Sequence, residues 1–73
     1  MRRKRIASSV IYSVGYDEEK QLLEVEFGLG RVYRFAKVPR KEYEALMSAP
    51  SAGKYFNQVI RRKFRGKKVE AGW

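Results

Sequence analysis

The stretch Leu23-Glu24-Val25-Glu26-Phe27-Gly28-Leu29-Gly30-Arg31-Val32-Tyr33-Arg34-Phe35 decides the fold. Leu23, Val25 and Phe27 alternate with two glutamates, the two-residue period of a half-buried strand. Arg31 to Ala36 alternates in the same way after the glycines. A three-residue loop, Gly28-Leu29-Gly30, pairs Phe27 with Arg31, Val25 with Tyr33 and Leu23 with Phe35, and it sets Glu24 against Arg34 on the other face. A two-residue loop would slip the pairing by one and bring Glu26 against Tyr33. The odd loop is therefore expected, with Gly30 free to take the positive φ that three-residue hairpins need.

Upstream, Val10, Tyr12, Val14 and Tyr16 alternate with Ile11, Ser13 and Gly15 as a further strand. Asp17 to Lys20 reads as its turn, which pairs Tyr12 with Val25 and Val14 with Leu23. The uncovered sheet face would then carry Ile11, Ser13, Leu22, Glu24, Glu26, Val32 and Arg34. Without an aromatic and with two carboxylates, that face is a poor platform for stacking RNA bases. Downstream, Pro39 suits a first helical turn. Tyr43, Leu46 and Met47 form the apolar stripe of a short helix that Pro50 ends. Ser51 is an N-cap candidate for a second helix, whose buried side is Phe56, Val59, Ile60 and Phe64. The expected architecture is α+β: a three-stranded antiparallel sheet followed by two helices packed on one face, β-β-β-α-α.

The chain has 73 residues, 44% of them hydrophobic and 14% aromatic, enough apolar content for one folded domain. Seventeen Lys and Arg against eight acids give a net charge of +9. Residues 9–60 balance, with Lys20, Arg31, Arg34, Lys37, Arg40, Lys41 and Lys54 against Asp17, Glu18, Glu19, Glu24, Glu26, Glu42 and Glu44. The excess sits at the two ends. Arg2, Arg3, Lys4 and Arg5 meet no acid, and Arg61, Arg62, Lys63, Arg65, Lys67 and Lys68 meet only Glu70. A neutral body with cationic ends reads as a folded module with binding arms for a polyanion. The expected division is a basic N-terminal arm over 1–8, a domain over 9–65 and a basic tail over 66–73.

Cys and His are both absent. Disulfide, thiolate and imidazole chemistry are thereby removed, along with the commonest metal ligands. Ser8 and Ser9 lack a base, Gly28-Leu29-Gly30 lacks the rest of a phosphate loop, and Asp17-Glu18-Glu19 is a solvated turn rather than a metal site. No metal, cofactor or catalytic set is expected. No apolar stretch resembles a leader or a membrane span, which places the protein in the cytoplasm.

On a helical projection Lys54, Gln58, Arg61, Arg62 and Arg65 lie opposite Phe56, Ile60 and Phe64, with Lys63 at the edge of the apolar side. Arginine presents a donor fork matched to phosphate, although cations at a helix C-terminus also satisfy the helix dipole. Lys54 sits in the first turn, where the dipole disfavours a cation. Tyr55 could stack a base or rest on the neighbouring helix. Asn57 could meet a phosphate or base edge, or bond backbone at the helix junction.

The strings Ser9-Val10-Ile11-Tyr12-Ser13-Val14-Gly15-Tyr16-Asp17, Tyr33 through Pro39, and Ser51-Ala52-Gly53-Lys54-Tyr55-Phe56-Asn57-Gln58-Val59-Ile60-Arg61 together resemble the KTSC domain over about residues 8–64. That domain occurs at the C-terminus of certain lysyl-tRNA synthetases and in free-standing small proteins, including phage ones. The resemblance implies RNA binding and carries no catalytic residues. It also makes Ile11 an apolar anchor, which implies a bulge or twist in the first strand. The resulting expectation is a non-enzymatic nucleic-acid-binding module, RNA before DNA. Lys54, Arg61, Arg62, Arg65, Lys67 and Lys68 would grip phosphates, with Arg2, Arg3, Lys4 and Arg5 adding affinity and Tyr55, Asn57 and Gln58 in reach of a base. The alternative is a protein-interaction module that docks on an acidic surface, as an accessory or inhibitor of a nucleic-acid enzyme.

Overall fold

The hairpin that decides the fold forms in the register its pattern requires. In the computed structural model, which describes residues 3–6 and 10–69 (the Leu29 side chain excepted), Leu23 pairs with Phe35, Glu24 with Arg34 and Val25 with Tyr33. Gly28–Gly30 makes a single 3-10 turn, Gly30 has φ 71, and the Phe27 N–H donates to the Arg31 carbonyl at 2.7 Å.

Around this hairpin the chain runs β1 (Arg3–Arg5), β2 (Ile11–Asp17), β3 (Leu22–Phe27), β4 (Val32–Phe35), α1 (Arg40–Ser48), a second helix over residues 52–63, and β5 (Gly66–Val69). The strands form one antiparallel sheet in the order β1-β2-β3-β4-β5. The expected sheet of three strands is thus a sheet of five. The two additional strands carry no apolar alternation because they are edge strands with mostly exposed side chains, and periodicity reports burial. Their short, basic character suits an edge, since lysine and arginine discourage pairing with another molecule. β1 is held by its side chains, as Arg3 reaches Glu24. β5 is held by a close fit, as Gly66 lies under the Phe35 ring.

The β2–β3 register differs from expectation. Val14 pairs with Val25 and Tyr16 with Leu23, two positions from the predicted pairing. The turn falls one residue later because Gln21 takes φ 53, a conformation its side chain does not advertise, while the Asp17 carboxylate accepts from the Lys20 N–H at 3.2 Å. The bulge implied by the family resemblance is present between Ile11 and Ser13. It turns Ile11 fully into the core and leaves Tyr12 outside, 47% exposed, with the Arg5 guanidinium 4.6 Å above its ring. The outer face therefore lacks Ile11 and gains an aromatic, contrary to the simple alternation.

The core joins Ile11, Val14, Leu23, Val25 and Phe35 of the sheet to Val38, Leu46, Phe56 and Ile60. Tyr16 stacks on Tyr43 of α1 with centroids 4.9 Å apart and donates its hydroxyl to the Val38 carbonyl, which seats α1 over the β2 side. Ser51 caps the second helix by accepting from the Lys54 N–H at 3.3 Å. That helix comprises an α turn Ala52–Tyr55, a π-helical segment Phe56–Ile60 and a last α turn Arg61–Lys63. In the π segment the Arg61 N–H reaches the Phe56 carbonyl, five residues back. The wider turn keeps Phe56 and Ile60 both buried while Asn57 and Arg61 share the next column outward.

Candidate functional site

Charge pairing sorts the cations into two groups. Arg3 donates to Glu24 at 2.6 Å and lies 3.8 Å from Glu26, Arg34 donates to Glu24 at 3.2 Å, and Ser13 donates to Glu26 at 2.8 Å. These contacts make the outer sheet face a neutralised ionic lattice. Arg40 joins Glu18 and Glu44, and the Glu18 hydrogen bond pushes its already permanent charge further from titration. Lys63 reaches Glu42 at 3.5 Å. The carboxylates of Glu18, Glu24, Glu26, Glu42 and Glu44 are thus engaged. Among the described residues, Lys54, Arg61, Arg62, Arg65, Lys67 and Lys68 form no ion pair and are exposed, and the same holds for Lys4, Arg5, Lys20, Arg31, Lys37 and Lys41.

These cations do not all face one way. Lys54, Gln58 and Arg62 follow one another at four-residue spacing on the outward column of the second helix, and Asn57 and Arg61 form the column beside it. Arg65 lies in the link to β5. Lys68 pairs with Tyr33 and therefore stands on the helix-covered sheet face. Lys67 pairs with Arg34 and points to the opposite face. Arg3, Lys4 and Arg5 sit on the far edge, four strand spacings or about 19 Å from β5. Arg3 is already committed to Glu24, and Arg2 lies outside the described residues. The structure thus brings Lys54, Arg61, Arg62 and Lys68 to one side and leaves Lys67 and the N-terminal cations apart.

Tyr55 is a packing residue. It is half-buried and donates its hydroxyl to Glu42 Oε2 at 3.2 Å. Burial, reinforced by the Glu42 carboxylate that accepts its hydrogen bond, pushes the phenol above its ordinary value. Asn57 and Gln58 are exposed.

A feature that the sequence reading missed lies between the second helix and β4–β5. A groove of about 460 Å³ opens there. Its sheet wall is Phe27, Tyr33 and Phe35, its helix wall is Phe56 and Phe64, and Asn57 and Arg61 border it. The rings pack edge to face: Phe27 with Tyr33 at 5.8 Å, Phe27 with Phe56 at 5.2 Å, and Phe35 with Phe56 at 5.3 Å. Five aromatics meet there, with Phe35 and Phe56 buried and Phe27, Tyr33 and Phe64 partly exposed. The available signal was the crowding of rings on one hairpin and one helix end. Among the described residues no cluster of three or more acids could hold a metal, and no helix is long and apolar enough to cross a membrane.

Comparison with known proteins agrees with the motif strings. The KTSC domain model matches residues 7–64. A protein of Stutzerimonas stutzeri is 48% identical over 61 residues, covering 84% of this chain and 86% of its own length. The lysine–tRNA ligase of Nostoc punctiforme is 44% identical over 57 residues, which span 78% of this chain but 10% of that enzyme. A crystal structure of a KTSC domain protein from Yersinia pestis superposes with TM-score 0.90 at 36% identity, covering 94% of this chain and 97% of that one. Matched in motif, in fold and over nearly its whole length, the chain belongs to the KTSC domain family.

Proposed function

We propose that this KTSC domain is a non-catalytic nucleic-acid-binding module of the cytoplasm that holds the phosphate backbone of RNA. The observation that supports the proposal is that Lys54, Arg61, Arg62, Arg65 and Lys68, close together in the chain or on the helix side of the sheet, are exposed and form no ion pair among the described residues, beside a body most of whose glutamates are paired. Arg61 and Arg62 offer forked donors to phosphate oxygens, Lys54 and Lys68 act as point charges, and the N-terminal cations lie at the far edge. The family's presence within lysine–tRNA ligases, enzymes named for tRNA, favours RNA over DNA.

The test is a fluorescence-anisotropy salt series with a labelled single-stranded RNA. If these five side chains each neutralise one phosphate, log K falls against log salt with a slope of about −3.5. Arg61→Glu with Arg65→Glu should flatten the slope and weaken binding at every salt concentration. Salt-independent association, or a preference for an acidic protein over RNA, would refute the proposal.

A further inference from the structure

We infer that the aromatic groove between β4, β5 and the second helix accepts one unpaired nucleobase, so that the protein selects single strands that carry bases. The inference rests on the nucleic-acid reading above and adds to it the group that is recognised. Of the rings that line the groove, Phe27, Tyr33 and Phe64 are partly exposed and Phe35 and Phe56 are buried behind them, and its volume of about 460 Å³ lies within the range of small-molecule sites. Every nucleobase offers a π-face, and stacking on aromatic side chains is the sequence-tolerant means of holding one.

The border of the groove explains why the occupant is a base on a strand rather than a free apolar molecule. Asn57 presents an amide with both donor and acceptor capacity, as a base edge requires. Arg61 stands beside it with no carboxylate to occupy it among the described residues. Lys68, opposite Tyr33, brings a second cation to the same sheet face. A slot of mixed aromatic and polar lining with a cationic border complements a stacked base flanked by phosphates. It does not suit a second copy of this chain, whose net charge of +9 repels its like. The outer sheet face offers no equivalent among the described residues, because the aromatic it carries there, Tyr12, has the Arg5 guanidinium over its ring and Glu24 and Glu26 are salt-bridged. A duplex keeps its bases stacked inside the helix, where the groove cannot reach them.

The experiment compares oligouridylate, an abasic sugar-phosphate strand of equal length and an RNA duplex, all at one salt concentration. The base-bearing strand should bind about tenfold more tightly than the abasic strand, the worth of one stacked base, with the same salt slope. In the wild-type protein, backbone amide shifts should centre on Asn57, Arg61 and Gly66. Tyr33→Leu should lower the base-bearing strand toward the abasic level. Should that variant fold poorly, the wild-type comparison and shift map still decide. Equal, salt-dependent binding of base-bearing and abasic strands would overturn the groove assignment while leaving the backbone reading intact. Absence of binding by any strand would overturn both.

Discussion

Gly66→Ala tests how β5 is joined to the rest of the molecule. A Cβ at residue 66 would lie 2.4 Å from Cε2 and 2.6 Å from Cζ of Phe35, so ring or strand must move by about 1 Å to restore ordinary contact. Gly30 is the glycine with positive φ among the described residues, so the Gly66 backbone itself tolerates alanine. Alanine in a strand should gain about 0.5–1 kcal/mol over glycine through reduced unfolded-state freedom. Forcing a methyl into a filled contact costs about 1–3 kcal/mol. Phe35 is 5% exposed and lies edge to face with Phe56, so the penalty should prevail and leave the variant about 1–2 kcal/mol less stable. In a Phe35→Leu background the two offending ring atoms are gone, and the same substitution should become neutral or stabilising by up to about 1 kcal/mol. Urea unfolding followed by circular dichroism on the four proteins gives a coupling near 2 kcal/mol if the m-values agree. An equal cost in both backgrounds would show that Phe35 is not what demands glycine at this position, and the close approach of β5 would be refuted. Because Phe35 also borders the groove, Gly66→Ala should weaken base-dependent binding without changing the salt slope.

Two further perturbations address the polar contacts. Glu24→Gln removes the shared charge from Arg3 and Arg34 at a side chain only 8% exposed; the expected loss is about 1–3 kcal/mol, concentrated at β1. Native-state hydrogen exchange should quicken across Arg3–Arg5, and unchanged protection there would mean that the strand is held by its backbone alone. Tyr55→Phe leaves Glu42 with Lys63 alone and should cost about 1–2 kcal/mol. Burial raises the Tyr16 and Tyr55 phenols above 10.0, with the carboxylates of Glu18 and Glu42 adding to it. The folded protein therefore keeps these protons longer than the unfolded chain does. Their stabilisation is whole below pH 10 and is lost as pH rises through the folded values, so the urea midpoint should fall on the alkaline side. Tyr55→Phe should make that fall shallower, and an identical pH profile would dismiss the role of the Tyr55 hydroxyl.

The legible part of the fold is the part whose side chains alternate between water and core. Leu23 to Phe35 satisfied one register and no other, and the structure adopts it. The helix that Ser51 begins was visible from its cap and from Phe56, Ile60 and Phe64. Register failed at Gln21, where a residue without a turn signature takes a left-handed conformation. β1 and β5 escaped because edge strands have little to bury and because their partners, Glu24 for Arg3 and Phe35 for Gly66, are distant in sequence. For the site, the unpaired cations could be named individually, while their distribution over two faces depended on β5 and was hidden with it. The groove was hidden for a related reason: Tyr33 and Phe64 carry the same apolar pattern as the core residues, and the sequence does not show that they stay partly exposed.

The return of the chain to β4 after both helices has a kinetic consequence. Residues 36–65 separate the paired strands β4 and β5, whereas β2, β3 and β4 are joined by tight turns. Closing the longer loop costs more chain entropy and is repaid only after the second helix has docked, so we expect β5 to be the last element in place. A pulse-labelled refolding experiment should find the amides of Gly66–Val69 protected after those of Leu22–Phe27, and simultaneous protection would contradict this order. A ligand lying across Gly66 and Arg61 would then act as a clasp on the slowest-closing seam, delaying unraveling rather than hastening assembly.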